Sequence, residues 1–184
     1  MTQAAILLAA GHSRRFGAAN KLCALINGTP ILSHSASNLA ASGADVLIAV
    51  LGDPALADLL PEGYQVVTCS GQQSDSLRAG LAAARAIGAS GCLIALGDMP
   101  FVTGTFFRQI LDAADSTTPS ATSGGAGAMP PACFPAAYFD RLDAIQGDRG
   151  ARQLLISTPR CHLVPAPPAM LRDIDTVADL RACR

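Results

Sequence analysis

The sequence has no C-x-x-C pair and only three histidines, His12, His34 and His162, which excludes a zinc-ligand spacing. Its six cysteines, at positions 23, 69, 92, 133, 161 and 183, are too scattered for a compact disulfide scaffold, and reduced thiols in a cytoplasm fit them best. An excess of either charge is also missing: 13 Lys+Arg against 14 Asp+Glu leave a formal charge of −1. A general polyanion binder would carry a basic stripe, so no nucleic-acid partner is expected and any anion site must be local. Charged residues make up only 15%, with no low-complexity tract to mark a tail or linker. No stretch approaches the ~18 uninterrupted apolar residues of a membrane span. Residues 4–10 are apolar, but the positive charges follow them instead of preceding them, so the run reads as a strand and not as a signal peptide.

What is present is a chain of 184 residues, half of them hydrophobic, enough to bury roughly two-thirds of its unfolded surface in one core. A single domain over residues 1–184 is expected. Apolar runs ending near glycines alternate with helical patterns: "AAILLAA", "ILSHSASNLAAS" before Gly43, "ADVLIAVL", "YQVVTC", "DSLRAGLAAARAI" before Gly88, and "CLIAL". This alternation is the α/β signature, a three-layer arrangement with a mostly parallel sheet. Thr103 is placed to cap a helix with Phe106, Phe107, Ile110, Leu111 and Ala114 on its apolar stripe. Residues 116–131 read as a short strand and a mobile loop, "ACF" as a short strand, and "CHLVPA" and "MLRDID" as strands. "AAYFDRLDAI", "DRGARQLLIS" and "TVADLRAC" read as helices. Ligands of such folds sit beyond the C-terminal strand ends.

The opening stretch "AILLAAGHSRRFGAANK" empties a strand into a glycine-rich, positive loop. Gly11 and Gly17 allow backbone N–H groups to approach a triphosphate, and Arg15 and Lys21 supply charge. Neither a G-x-x-x-x-G-K-[ST] loop nor a G-x-G-x-x-G fingerprint is present, and composition alone leaves open a solvated loop whose arginines face water. Asp98 follows the apolar strand "CLIAL" beside Gly97, and with Thr103 already available as a cap it is free for other work. Because Mg²⁺ takes one or two carboxylates plus phosphate oxygens, a second acid is needed, and "RDIDT" offers Asp173 and Asp175. Asp175 or Thr176 could equally cap the last helix, Ser74 or Asp75 the helix before Gly88, and Asp148 the helix of "DRGARQLLIS".

"LAAGHSRRFG" followed by Lys21 resembles the L-A-A-G-x-S-x-R-x-G...K signature of the MobA-like nucleotidyltransferases, most closely the molybdenum cofactor cytidylyltransferases. Phe16 stands where methionine is common, and three residues separate Gly17 from Lys21 where two are frequent. "GDMP" at residues 97–100, "DIDT" at residues 173–176, "GQQSDSLRAG" (with Asp75 where serine is frequent), "GDRGARQLL" and "GAMPPACF" match further family segments in the family's order. The resemblance implies a Rossmann-like nucleotide-diphospho-sugar transferase fold. It also implies a triphosphate clasped by Leu8, Ala9, Ala10, Gly11, Ser13, Arg15, Gly17 and Lys21, with Gly97 and Asp98 alongside. Asp98 and Asp175 are the implied metal ligands, with Asp173 as substitute for the second, and Mg²⁺ the ion, with Mn²⁺ possible. Ser74, Ser76 and Arg78 are implied near base and ribose, and Gly147, Asp148 and Arg152 near the acceptor.

The implied reaction moves CMP from CTP to the terminal phosphate of molybdopterin and releases pyrophosphate, with Arg15, Lys21 and Asp98 as the catalytic group and a client molybdoenzyme as a further partner. Two alternatives stand beside it. One is a guanylyltransferase, or transfer to another phosphorylated acceptor, although the usual guanylyl opening is L-A-G-G and Ala10 adds a methyl. The other is a non-catalytic chaperone for the cofactor.

Overall fold

A computed structural model describes residues 1–11, 16, 20–125, 127–147, 150–158 and 160–183. The opening apolar run forms β1 (Gln3–Ala9), in which residues 4–7 are fully buried. A strand covered on both faces needs no polar alternation, which is why "AAILLA" reads as one continuous run. β1 lies between two parallel neighbours, β4 (Val46–Leu51) and β6 (Gly91–Leu96), with Ile6 level with Ile48 and Ile94. β5 (Tyr64–Thr68) extends the sheet beyond β4, while β8 (Gly127–Pro135), β7 (Ser120–Gly124) and β9 (His162–Pro165) extend it beyond β6. The order is β5-β4-β1-β6-β8-β7-β9, and β8 runs against the others. A small separate ribbon pairs β2 (Leu25–Ile26) with β3 (Thr29–Pro30).

Helices cover both faces. α1 (Ile31–Ala40), α3 (Gly104–Ala113) and α6 (Val177–Arg181) share one apolar cluster with Leu7, Leu51 and Leu93. α2 (Gln73–Ala86), α4 (Phe139–Asp143) and α5 (Ala151–Ile156) share the other with Ile6, Val50 and Ile94. The alternating residues of each strand thus feed two cores, giving the three-layer, Rossmann-like α/β/α architecture expected from the sequence. Thr103 caps α3 as expected, its hydroxyl accepting from the Phe106 N–H, and Gly88 follows α2 at φ +66°. β1 feeds leftward through α1 to β4, whereas β5 returns through α2 to β6 on the other side of β1. The reversal opens a crevice at the C-terminal ends of β1 and β6.

Four expectations need correction. Residues 120–124 and 127–135 form the paired strands β7 and β8, not a short strand with a mobile loop, and "ACF" is only the later part of β8. The hydroxyls of buried Ser120 and Thr122 donate to the carbonyls of Ile110 and Pro131, so polar residues fit inside the sheet. "MLRDID" is not a strand: residues 169–171 turn and residues 172–175 run irregularly. The cap of α2 is Gln72, whose backbone N–H donates to Asp75, rather than Ser74 or Asp75. α5 begins after Gly150, two residues later than a cap at Asp148 would place it, and Asp148 lies outside the described residues.

Candidate active site

At the mouth of the crevice one ammonium meets two carboxylates. Lys21 Nζ donates to Asp98 Oδ2 at 2.7 Å and to Asp175 Oδ1 at 2.6 Å, joining residues 77 and 154 positions apart. Each is fixed by local chemistry. Lys21 opens a short 3₁₀ turn (Lys21–Cys23) in which the Asn20 side chain accepts from the Leu22 N–H and Leu22 is buried. Asp98 lies two residues past β6, next to Gly97, whose N–H donates to Leu8 O and holds the end of β6 against β1. Ile174 is fully buried and donates its N–H to Asp98 O, which sets the following residue, Asp175, beside Asp98. Capping of α6 falls to Thr176, which exchanges hydrogen bonds with Asp179 in a reciprocal box. The Asp175 side chain is therefore not consumed as a cap.

The Lys21 side chain is only 12% exposed, so its ion pairs are weakly screened. At 4 Å a unit pair is worth ~4 kcal/mol in a partly desolvated cleft, against ~1 kcal/mol in water. Burial works against the ammonium, but the charge of Asp98 and the bonds to both aspartates outweigh it and hold Lys21 above its ordinary value of 10.5. The stabilisation is therefore intact at neutral pH and is lost only as pH climbs past that range. Asp98 and Asp175 are the carboxylates hydrogen-bonded to the ammonium, and Asp173 feels Lys21 only as a weaker charge. Burial, then repulsion from Asp175 and Asp98, push its carboxyl up, so Asp175 and not Asp173 partners Asp98 at Lys21.

The pair fits a hard divalent cation. Asp98 gives Oδ2 to Lys21, while its Oδ1 is buried with no hydrogen-bond partner among the described residues, an oxygen with a lone pair to offer. Among the described residues no group of three or more His, Cys, Asp or Glu side chains is placed to hold a metal. Two carboxylates match the oxygen ligands that Mg²⁺ and Mn²⁺ take better than the imidazole and thiolate ligands typical of Zn²⁺.

Leu8, Ala9 and Ala10 are buried at the end of β1, and Gly11 is exposed where a Cβ would meet nothing within 4 Å. Ser13, Arg15 and Gly17 lie outside the described residues, as does Asp148. Ser74 and Ser76 are buried in the first turns of α2. Ser74 Oγ accepts from Arg78, and the Ser74 N–H donates to Gly147 O. Arg78 also pairs with Asp75 at 3.1 Å and reaches Ile145 O, so it ties α2 to residues 145–147 instead of standing alone in water. Gly147 has φ +75°, a left-handed conformation that favours glycine. Arg152 is exposed on α5. The structure thus brings Lys21, Asp98 and Asp175 into contact and places Ser74, Arg78 and Gly147 in a second connected group.

A family model described as the MobA-like NTP transferase domain matches residues 5–162. The chain belongs to the MobA-like NTP transferase family. It is 30% identical over 166 residues to the purine catabolism protein PucB of Bacillus subtilis (strain 168), covering 83% of this chain and 80% of PucB. The crystal structure of Rv0371c from Mycobacterium tuberculosis H37Rv superposes with a TM-score of 0.87 at 28% identity, covering 98% of this chain and 96% of that one. The same Rv0371c has been solved in complex with manganese, with a TM-score of 0.85 at 26% identity, covering 100% of this chain and 98% of that one. A nucleotidyl transferase from Methanothermobacter aligns with a TM-score of 0.82 at 25% identity over 100% of this chain and 96% of its own.

In this MobA-like transferase two glycines hem the end of β1, and the sequence drew attention to only one of them. A Cβ at Gly97 would lie 3.1 Å from Ala9 Cβ, and a Cβ at Gly52 would lie 3.1 Å from Ala10 O and 3.2 Å from Ala10 Cα. Gly52 was legible only as a glycine closing the apolar run of β4. Gly52→Val is expected to push Ala10 out of line and cost about 1–3 kcal/mol, as overpacking does. Thermal unfolding followed by circular dichroism should show a midpoint lowered by roughly 2–12 °C; an unchanged midpoint would mean that β1 yields without strain.

Proposed function

We propose that this MobA-like protein is a cytidylyltransferase that moves CMP from CTP to the terminal phosphate of molybdopterin in the cytoplasm, as a single domain over residues 1–184, with a client molybdoenzyme as a downstream partner. The observation that carries the reading is the convergence of Lys21, Asp98 and Asp175 at the crevice where β1 ends. An acceptor phosphate oxygen attacks the α-phosphorus of CTP, a new P–O bond forms, and the bond to the bridging oxygen breaks as pyrophosphate leaves. The acceptor is already ionised at neutral pH, so no general base is required. Residues 8–11 with Ser13, Arg15 and Gly17 would clasp the triphosphate through backbone N–H groups and charge. Asp98 and Asp175 would hold Mg²⁺, or Mn²⁺, which when bound neutralises charge on the phosphate oxygens. Lys21 and Arg15 would add positive charge where negative charge builds on the leaving group, and catalysis would rest on in-line positioning and electrostatics. Ser74, Ser76 and Arg78 would order the floor under base and ribose, and Gly147, Asp148 and Arg152 would receive the acceptor.

Pyrophosphate release from each of the four nucleoside triphosphates, with Mg²⁺ and with or without molybdopterin, tests the whole reading. Release with CTP that depends on molybdopterin is the expected result. Equal turnover with GTP would refute the choice of base that Ala10 suggests, and molybdopterin-independent transfer to another phosphate would refute the acceptor. Binding of the cofactor without any release would identify a carrier.

A further inference from the structure

Among the described residues, two anionic side chains and a cationic one meet at the point where the proposed function places a metal ion. Lys21 Nζ sits 2.7 Å from Asp98 Oδ2 and 2.6 Å from Asp175 Oδ1, so its ammonium lies between the two carboxylates. A divalent ion held between the same two carboxylates would meet the charge of the ammonium at close range, and the two cations would repel.

We propose that Lys21 is the resident counter-ion of the Asp98–Asp175 pair, and that metal and lysine exclude one another there, so that metal and triphosphate load together. This rests on Asp98 and Asp175 being the metal ligands of the proposed transferase. The main chain at Lys21 is held by the Asn20 cap and by buried Leu22, whereas the four-carbon stem of lysine lets its ammonium swing without moving that anchor. When the ammonium leaves the carboxylates, the phosphate oxygens of an arriving nucleotide can receive it. The same side chain therefore screens the carboxylates from one another in the free protein and charges the triphosphate in the loaded one. By linkage, nucleotide and metal raise one another's affinity by the same factor, and part of that factor is the relocation of Lys21.

The test is Mn²⁺ titration without nucleotide, reading free Mn²⁺ by electron paramagnetic resonance. Lys21→Met is expected to bind Mn²⁺ at least tenfold more tightly than the wild-type protein. Lys21→Arg, which keeps the charge, is expected to stay close to wild type, and adding Asp98→Asn to Lys21→Met should abolish the gain. Wild-type or weaker Mn²⁺ affinity in Lys21→Met overturns the proposal. Should circular dichroism show that variant unfolded, Lys21→Gln, which keeps a hydrogen-bonding end without the charge, gives the same readout. The two readings fail separately. Pyrophosphate release by the wild-type protein with no Mn²⁺ gain in Lys21→Met removes the counter-ion role alone, and absent release with a clear gain removes the transferase reading alone.

Discussion

Asp98→Asn is expected to lower pyrophosphate release roughly 10²–10³-fold, the usual cost of removing one preorganised electrostatic group, while leaving the protein folded. The substitution keeps size and removes charge. It takes the negative charge from one of the two carboxylates that meet at Lys21 and puts an amide NH₂ where one carboxylate oxygen stood, yet the main-chain bond from Ile174 to residue 98 is untouched. Steady-state release assays alongside thermal unfolding separate the two effects. Turnover within threefold of wild type in a folded variant would remove Asp98 from the chemistry.

Ile174→Ala should damage stability and activity together. Ile174 is fully buried in the cluster beneath α1, α3 and α6, and truncating such a side chain costs about 2–5 kcal/mol. For a chain of this length that corresponds to a fall of roughly 4–20 °C in the unfolding midpoint. The loss of activity should exceed what instability alone explains, because Ile174 carries the backbone that sets Asp175 beside Asp98. Ile174→Val, at about 0.5–1.5 kcal/mol, should retain most of the activity. Equal stability losses with full turnover in both variants would show that Asp175 keeps its place without this plug.

How far the sequence could be read depended on where each signal came from. β1, β4 and β6 were plain because strands buried on both faces become unbroken apolar runs. The hairpin of β7 and β8 was hidden. Its serines, threonines, glycines and prolines look like a loop until Ser120 and Thr122 are seen to satisfy their hydroxyls against Ile110 and Pro131. The family resemblance named Asp98 and Asp175 as a pair, whereas the residues alone did not choose between Asp175 and Asp173. Asp173 and Asp175 looked equivalent while the segment was taken as extended, and only the irregular path fixed by Ile174 brings Asp175 to the ammonium. Arg78, which the resemblance placed near base and ribose, also knits α2 to Ile145, a contact that helix position alone does not show. Packing contacts of this kind join segments far apart in sequence, and no local pattern announces them.

The order in which the charged trio appears along the polypeptide has a consequence for biosynthesis. Lys21 and Asp98 leave the ribosome early, but Asp175 follows the last strand of the sheet, β9. A nascent chain can therefore form its central strands and the floor of its crevice well before its second carboxylate emerges. The trio is complete only once residue 175 has emerged, and a product truncated after β9 would keep most of its strands but only one of the two carboxylates that meet Lys21.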